Sequence, residues 1–539
     1  MLRRWLPPSL LLLIALLLAL PVLAVLASWA QWTPEAGQIL TAMASTVLPE
    51  YLGATLVLCA SVAVGVAVVG TGTAVAVTLF EFPGRRLLAW ALLLPLAIPA
   101  YVVAYASTDF LQYSGPLQTW LRASFGLQGR VFPEVRSLGG AAWVFTFALY
   151  PYVYLLARTA LAERGSHLME AARLLGAPLG RRIREVALPL ARPAVAAGVA
   201  LALMETLADF GVVSYFGVQT FTAGIYKAWL AMDNRLAAAQ LATLLLAFVA
   251  LLLWLEQRAQ RRMRFAAGRG ARPTAHEAQP VRLQGAQAGL ALVVCALPVL
   301  LGFVLPVLFM LRPLLAALAD GEALPWARFA EWARNSVLLG AGSAVLAVAV
   351  ALALAFAVRR SASRLARGAA ALVGLGYAVP GAVIVVGLLL PVGWLQAAFP
   401  QSGVGYLVTA TVLGIVWAYL VRFCAVALQA LRSGYARIPA SLDDSARMLG
   451  SGGAGLLLRV HWPLLRRSTA AAALLVFVDV MKVLPATLVL RPFNMDTLAV
   501  VAYQLARDER LGEAALPSLA LVLVGLLPVL LLSRTASRS

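Results

Sequence analysis

Long apolar runs separated by short polar segments make up nearly the whole chain. Many runs extend over about eighteen or more residues with almost no charge, and a helix of that length crosses about 30 Å of hydrocarbon. The pattern predicts an all-α polytopic membrane protein with about 12 transmembrane helices. We place these spans near residues 9–30, 52–79, 87–110, 138–160, 190–216, 236–256, 286–312, 335–358, 368–392, 404–428, 468–490 and 512–533.

Composition and charge agree with that pattern. Apolar residues make up 62% of the chain and charged residues only 12%, which lies outside the range of soluble globular proteins. The net charge of +20 would fit a nucleic-acid-binding protein, but most basic residues lie in alternate loops on one side of the predicted spans. That side is expected to be cytoplasmic, together with both termini. The charge therefore indicates topology and contact with the lipid bilayer, and we expect no nucleic-acid partner.

The first segment, MLRRWLPPSLLLLIALLLALPVLAVLAS, has two interpretations. Its basic start, apolar core and small-residue end are typical of a cleaved signal peptide. Its apolar core is longer than that of a usual signal peptide, which favours an uncleaved first span. Cleavage would leave the orientation of the later spans unchanged.

The sequence contains few residues with the pattern of reactive or metal-binding groups. Cys59, Cys295 and Cys424 lie in apolar segments without a CxxC pair, which favours small core residues. The three histidines are scattered, so no metal site is expected. We find no nucleophile–base pair and no GxxxxGK[ST] phosphate loop. The chain is therefore predicted to be no enzyme and to bind no cofactor.

An internal repeat organises the chain. Each half contains six predicted spans, so both halves run in the same direction. This predicts two tandem parallel modules, 1–256 and 286–539, joined by a basic cytoplasmic linker at 257–285. The modules are expected to pack about a pseudo-twofold axis along the membrane normal, with a pathway between them. The matched positions are Thr55 and Ser336, Pro99 and Pro380, Glu170 and Asp444, Gly176 and Gly450, and Pro189 and Pro463.

Two polar stretches carry a family resemblance. EAARLLGAPLGRRIREVALP at 170–189 resembles the EAA loop of ABC importer membrane subunits, and DSARMLGSGGAGLLLRVHWP at 444–463 is a degenerate copy. Segments 205–229 and 479–505 are similar to those of fused ferric-iron importer permeases. The resemblance implies a type I ABC importer permease with the MetI-like fold in a bacterial inner membrane. It also implies two copies of a cytoplasmic ABC ATPase, which would hold ATP and Mg²⁺. A periplasmic or lipid-anchored substrate-binding protein and ferric iron transport by alternating access are further implications.

Each EAA loop is expected to form a short helix that docks into a groove of the ATPase. Glu170 complements the helix dipole, and the small Ala171 and Ala172 let one face enter the groove. Gly176 permits a tight turn, and Pro189 begins the next span where a missing N–H costs little. The alternative is an ordinary amphipathic connector. The second loop supplies Asp444, Ala446, Gly450 and Pro463, and we bound the two loops at 163–190 and 437–464.

The later parts of the fifth predicted span and of its repeat counterpart, the eleventh, carry four ionisable residues, namely Glu205, Asp209, Asp479 and Lys482. Such groups are costly in a membrane and usually face a cavity or a partner. The carboxylates could line a translocation path, where oxygen ligands suit a trivalent or other cation. Alternatively, the four residues form an ion-pair network that joins the two halves. The sequence leaves both interpretations open.

A set of polar and aromatic residues is expected near the outer side, where it could receive the binding protein or cap and anchor helices. The substrate also stays open, because thiamine, polyamine and phosphonate permeases share this module. A secondary transporter with two six-span halves is an alternative of another class, and the paired EAA loops argue against it. The outer residues are Thr220, Phe221, Thr222, Tyr226, Arg491, Asp496, Thr497 and Tyr503.

Overall fold

The computed structural model describes residues 8–30, 34–267, 280–321, 324–360, 363–451 and 453–536. Its helices in the first half are α1 Pro8–Ala27, α2 Pro34–Thr46, α3 Leu48–Leu79, α4 Arg85–Ala91, α5 Ala100–Leu111, α6 Pro116–Phe125, α7 Leu138–Leu174, α8 Leu179–Arg182, α9 Leu188–Ala208, α10 Gly211–Tyr215, α11 Phe221–Tyr226 and α12 Arg235–Ala267. Those of the second half are α13 Gly285–Val299, α14 Leu305–Ala319, α15 Trp326–Arg360, α16 Arg364–Gly374, α17 Gly381–Ala398, α18 Val404–Thr409, α19 Val412–Ala436, α20 Ala440–Met448, α21 Trp462–Lys482, α22 Pro485–Leu490, α23 Leu498–Arg507 and α24 Leu511–Ala536.

Ten helices of the described chain are long and apolar enough to cross a membrane, which confirms the predicted all-α polytopic fold. The pair Arg85–Ala97 and Ala100–Phe125 is apolar enough as well but bends by 92°, and as one span it would bring the number to eleven. The predicted span at 468–490 corresponds to α21. Its 21 residues include two arginines near one end and Asp479 and Lys482 at the other, and it is not among the ten.

Two prolines at matched positions divide predicted spans. Pro99 precedes α5 and Pro380 precedes α17, and the residues before them, Ile98 and Val379, are extended. Proline disfavours a helical conformation in the preceding residue and lacks an N–H to continue the helix. The predicted spans 87–110 and 368–392 are therefore each built from two helices with a single 3₁₀ turn between them.

The described chain forms two compact units that do not follow the sequence repeat. Unit one consists of Met1–Ala42, Ile225–Leu246 and Pro325–Val501, and unit two of Met43–Gly224, Ala247–Leu324 and Ala502–Ser539. In unit one, α15, α19 and α21 pack together, and α1 packs against α16 and α17. In unit two, α3, α7 and α9 pack together, and α14 packs against α5 and α24. Each unit thus contains the central helices of one half and the opening helix of the other.

A two-stranded parallel ladder anchors one end of the predicted linker within unit two. Strand β1 (Phe80–Glu81) follows α3, and strand β2 (Val281–Arg282) precedes α13. Phe80 pairs with Val281 and Glu81 with Arg282, and the N–H of Leu283 donates to the Glu81 carbonyl at 2.9 Å. Of the linker, residues 268–279 lie outside the described part of the chain.

Candidate coupling site

The first EAA loop continues directly from a predicted span. Helix α7 runs unbroken from Leu138 to Leu174. Gly176 follows with a positive φ of +79°, and its N–H donates to Arg173 O at 3.0 Å while Ala177 N–H donates to Ala172 O at 3.0 Å. These two bonds form a Schellman motif, in which the left-handed residue is usually glycine. The turn predicted at Gly176 is therefore present.

The second EAA loop ends in the same turn but begins differently. Helix α19 stops at Ala436, and Pro439 precedes the separate helix α20. Gly450 has a φ of +78°, its N–H donates to Arg447 O at 3.0 Å, and Ser451 N–H donates to Ala446 O at 2.9 Å. A short π-helix then leads into the next span in both loops, Ile183–Ala187 before α9 and Leu456–His461 before α21.

Both helices expose a pair of large apolar residues immediately before the glycine turn. Leu174 and Leu175 are 84% and 87% exposed, and Met448 and Leu449 are 88% and 86% exposed. These pairs occupy matched positions beyond the spans. Exposed apolar side chains at such a site indicate a surface that binds another protein. Sequence reasoning did not select these four residues, although LLG and MLG stand at equivalent places in the two stretches.

A buried polar cluster holds α20 within unit one. We call it the α20 clamp, and it consists of Arg359, Tyr435, Asp443 and His461. Asp443 and His461 are 4% and 0% exposed. Arg359 Nε donates to Asp443 Oδ2 at 2.9 Å, and Arg359 Nη2 donates to the carbonyl of Ile438 at 3.0 Å. His461 Nε2 lies 3.0 Å from Asp443 Oδ1, and the Tyr435 hydroxyl lies 3.2 Å from His461 Nδ1.

The electrostatics of the α20 clamp favour an ionised Asp443. Burial by itself raises the pKa of this carboxyl, but the hydrogen bonds and charges of Arg359 and His461 outweigh burial and hold the pKa below its usual value. An ionised carboxylate only accepts hydrogen bonds, so His461 donates from Nε2. The ring of Phe356 packs edge-on against His461, with centroids 5.5 Å apart. Ala446 packs into the same apolar cluster as Phe356.

The other predicted coupling residues occupy mixed environments. Ala171 is exposed and Ala172 half-buried, while Pro189 lies half-buried in the first turn of α9. The side chain of Glu170 lies outside the described part of the chain. In the second loop Asp444 is exposed and pairs with Arg447 at 3.3 Å, and Pro463 is exposed in the first turn of α21.

The intramembrane acids have different local roles. Asp209 ends α9, and its Oδ1 accepts a hydrogen bond from Val212 N–H at 2.8 Å, which caps α10. Glu205 is half-buried on α9. On α21, Asp479 and Lys482 interact electrostatically. Among the described residues, no group of three or more His, Cys, Asp or Glu side chains could hold a metal ion, and Cys59, Cys295 and Cys424 are buried free thiols.

Two residues of the predicted outer set have equivalent capping roles. The hydroxyls of Thr220 and Thr497 accept bonds from Ala223 N–H and Val500 N–H, respectively, both at 3.4 Å. The residue after each threonine donates its N–H to a hydroxyl on an earlier span. Phe221 N–H donates to Thr55 in unit two, and Leu498 N–H donates to Ser336 in unit one.

Four residues of that outer set are buried and bonded within their own units. Thr220 caps its helix, and Thr222 Oγ1 donates to Leu207 O at 2.7 Å. The Tyr226 hydroxyl donates to Pro485 O at 3.0 Å, and the Tyr503 hydroxyl lies 2.9 Å from Ser214 Oγ. In this conformation the four side chains hold helices together and present little surface to a docked protein.

The ion pair of Arg491 and Asp496 closes a short loop in unit one. Asn335 Nδ2 supports this loop by donating to Asp496 O at 3.1 Å. Phe493 lies within the loop and is 93% exposed. Sequence reasoning selected the two charged residues and missed the phenylalanine between them.

The described residues define a polytopic α-helical membrane protein with two loops that share a glycine turn at matched positions. A family model for the binding-protein-dependent transport system inner membrane component matches residues 68–265, a range that contains the first loop. The chain is also 32% identical over 212 residues to the sulfate transport system permease protein CysT of Escherichia coli, covering 38% of this chain and 71% of that protein. The chain belongs to the family of binding-protein-dependent transport system inner membrane components.

Two further relatives differ in coverage. The Fe(3+)-transport system permease protein FbpB 2 of Haemophilus influenzae is 25% identical over 492 residues, which cover 91% of this chain and 90% of that protein. The sulfate transport system permease protein CysW of Escherichia coli is 35% identical over 147 residues, 27% of this chain and 48% of that protein. These relatives are permease subunits of transport systems, and their named substrates differ.

Proposed function

We propose that this chain is the permease subunit of an ABC importer that carries ferric iron across the inner membrane. Two copies of a separate ATPase bind its two EAA loops, and a binding protein delivers iron from the outside. ATP binding closes the ATPase dimer, the two loops approach each other, and the path opens outward to accept substrate. Hydrolysis returns the path to its inward-facing state. Both termini are cytoplasmic in this proposal.

The paired loops carry the coupling part of the proposal. Each presents a helix, a left-handed glycine and an exposed apolar pair at matched positions. A groove on an ATPase would bury these apolar pairs, and buried apolar anchors supply most of the energy of a typical interface. The sequence contains no phosphate-binding loop, so the energy has to enter through such a contact.

Two observations support ferric iron as the substrate. The ferric-iron permease of Haemophilus influenzae aligns along nearly the whole chain, whereas the sulfate permeases align with less than half of it. In the later parts of the fifth and eleventh predicted spans, the acids Glu205 and Asp479 outnumber the one lysine, Lys482. Oxygen ligands of this kind suit a hard cation and repel an anion such as sulfate.

Uptake of radiolabelled ferric iron, sulfate and thiamine by a deletion strain and its complemented parent tests the substrate. We expect the deletion to abolish uptake of iron and to leave uptake of sulfate and thiamine unchanged. Loss of sulfate or thiamine uptake with normal iron uptake would refute the assignment to iron.

Reconstitution in liposomes separates an ABC importer from a secondary transporter. With the ATPase and binding protein present, uptake should require internal ATP and continue when a protonophore collapses the ion gradient. Uptake that runs without the ATPase and stops with the protonophore would establish the secondary transporter instead.

A further inference from the structure

The two coupling helices are attached to their spans in different ways. In the first half, α7 is one helix from the membrane span to the glycine turn, so movement of its end is carried by the helix itself. In the second half, α19 ends at Ala436 and α20 begins at Ala440, with Pro439 between them. The backbone connection between α20 and the preceding span, α19, is therefore a short turn and not a continuous helix.

The α20 clamp bridges this break. Arg359 lies in the last turn of α15, and His461 is the last residue of the π-helix that leads into α21. Both side chains bind the carboxylate of Asp443 on α20, at 2.9 Å and 3.0 Å. Arg359 also holds the carbonyl of Ile438, just before Pro439. One buried carboxylate thus links the coupling helix to two spans at once.

The sequence of the first half does not repeat the charges of this cluster at the matched positions. The positions that match the α20 clamp at the spacing of the repeat are Thr78, Leu161, Met169 and Ala187. None of them carries a charge, so the ion pairs of the α20 clamp are not repeated at these positions.

We propose that Asp443 is a positioning residue that transmits movement of the second coupling helix to α15 and α21. It supplies across the break the rigid connection that α7 supplies by its own continuity. This inference rests on the proposed coupling of the loops to an ATPase. The carboxylate of Asp443 is held from two sides, by Arg359 Nε and by His461 Nε2. It moves together with these partners, because losing either bond weakens the pairing of a buried charge.

The complete transporter in liposomes, with its ATPase and binding protein, allows ATP hydrolysis and iron uptake to be measured separately. The test variant is Asp443→Asn, which keeps the shape of the side chain and removes its charge. The matched control is Asp320→Asn, the same substitution at an exposed carboxylate that follows α14 and lies outside both EAA loops. We expect Asp443→Asn to retain ATPase binding and hydrolysis but to lower uptake per ATP about tenfold, while Asp320→Asn matches the parent.

Conservative variants sharpen the result. Asp443→Glu keeps the carboxylate and should recover part of the lost uptake per ATP. Arg359→Lys and His461→Gln each weaken one arm of the α20 clamp, so they should give intermediate losses. If Asp443→Asn does not fold, ATP hydrolysis and iron uptake can be measured in Arg359→Lys and His461→Gln instead.

Equal uptake per ATP in Asp443→Asn and Asp320→Asn would overturn the positioning role. Loss of ATPase binding in Asp443→Asn, or in both Arg359→Lys and His461→Gln, would also overturn the positioning role, because such a loss would assign the α20 clamp to ATPase docking. Failure of the proposed function is distinguishable, since the parent permease would then bind no ATPase at all.

Discussion

The two EAA loops have different sequences but end in the same turn, and they are attached to their spans in different ways. The first loop keeps the EAA letters, and the second replaces them with Asp444, Ser445 and Ala446. Both nevertheless end in a Schellman turn after an exposed apolar pair. Their attachments to the spans are an unbroken helix in one case and a buried polar cluster in the other. The shared features are the ones on which the proposed docking depends, whereas the two helices are attached to their spans in different ways.

The largest effect is expected from replacing the glycine of the first turn. Gly176→Val places a β-branched residue at a φ of +79°, which costs roughly 1–2 kcal/mol and disrupts both bonds of the turn. Uptake should fall at least about tenfold, measured in the reconstituted transporter together with co-purification of the ATPase.

The neighbouring Gly180 provides the control, since it lies in α8 without a positive φ and an added Cβ meets open space. Gly180→Val should behave like the parent. Gly450→Val should lower uptake less than Gly176→Val does, because the α20 clamp still holds α20. Normal uptake in Gly176→Val would remove the turn from the coupling mechanism.

An intermediate effect is expected from charging the exposed apolar pairs. Leu174→Glu with Leu175→Glu, and Met448→Glu with Leu449→Glu, should each weaken ATPase binding about tenfold or more, because two apolar anchors are lost. Affinity can be measured by titrating the ATPase onto the purified permease. Phe493→Glu is the control, since this residue is equally exposed but follows the far end of α21. If only one pair matters, then a single loop docks.

The smallest effect concerns Asp209, which has a capping bond that its repeat counterpart Val483 cannot make. Asp209→Asn keeps a capping oxygen, so the melting temperature should be unchanged and the rate of iron uptake should stay within about twofold of the parent. Asp209→Ala should cost about 1 kcal/mol of stability through loss of the cap. A more than tenfold loss of iron uptake in Asp209→Asn at unchanged stability would instead place its charge on the translocation path.

Much of the fold is predictable, because membrane-spanning helices are recognisable in a sequence as long apolar runs. The turn at Gly176 and Gly450 is predictable as well, since a glycine after a helical run has a specific conformational use. The sequence shows Pro99 and Pro380 as matched prolines, but a proline within an apolar run does not by itself tell a kinked span from a divided one.

The α20 clamp was not predictable, because Arg359 and Asp443 lie far apart in the chain and each looks like an ordinary residue of the arginine-rich side. Only tertiary packing brings them together. The two compact units cannot be predicted from the sequence for the same reason. An apolar span can pack against any other apolar span, and the hydrophobic pattern does not specify which helices pack together.

The packing of α1 within unit one has a consequence for biogenesis. Its partners α16 and α17 begin at Arg364 and Gly381, so they emerge from the ribosome long after α1 has been made. At about 5–20 residues per second, α1 waits on the order of 20–70 s in the bilayer before it can pack. The opening helices of the second half, by contrast, find α3 and α5 already made, and only α24 follows them. The apolar character of α1 thus serves it first as a lone helix in lipid and only later as part of a protein core.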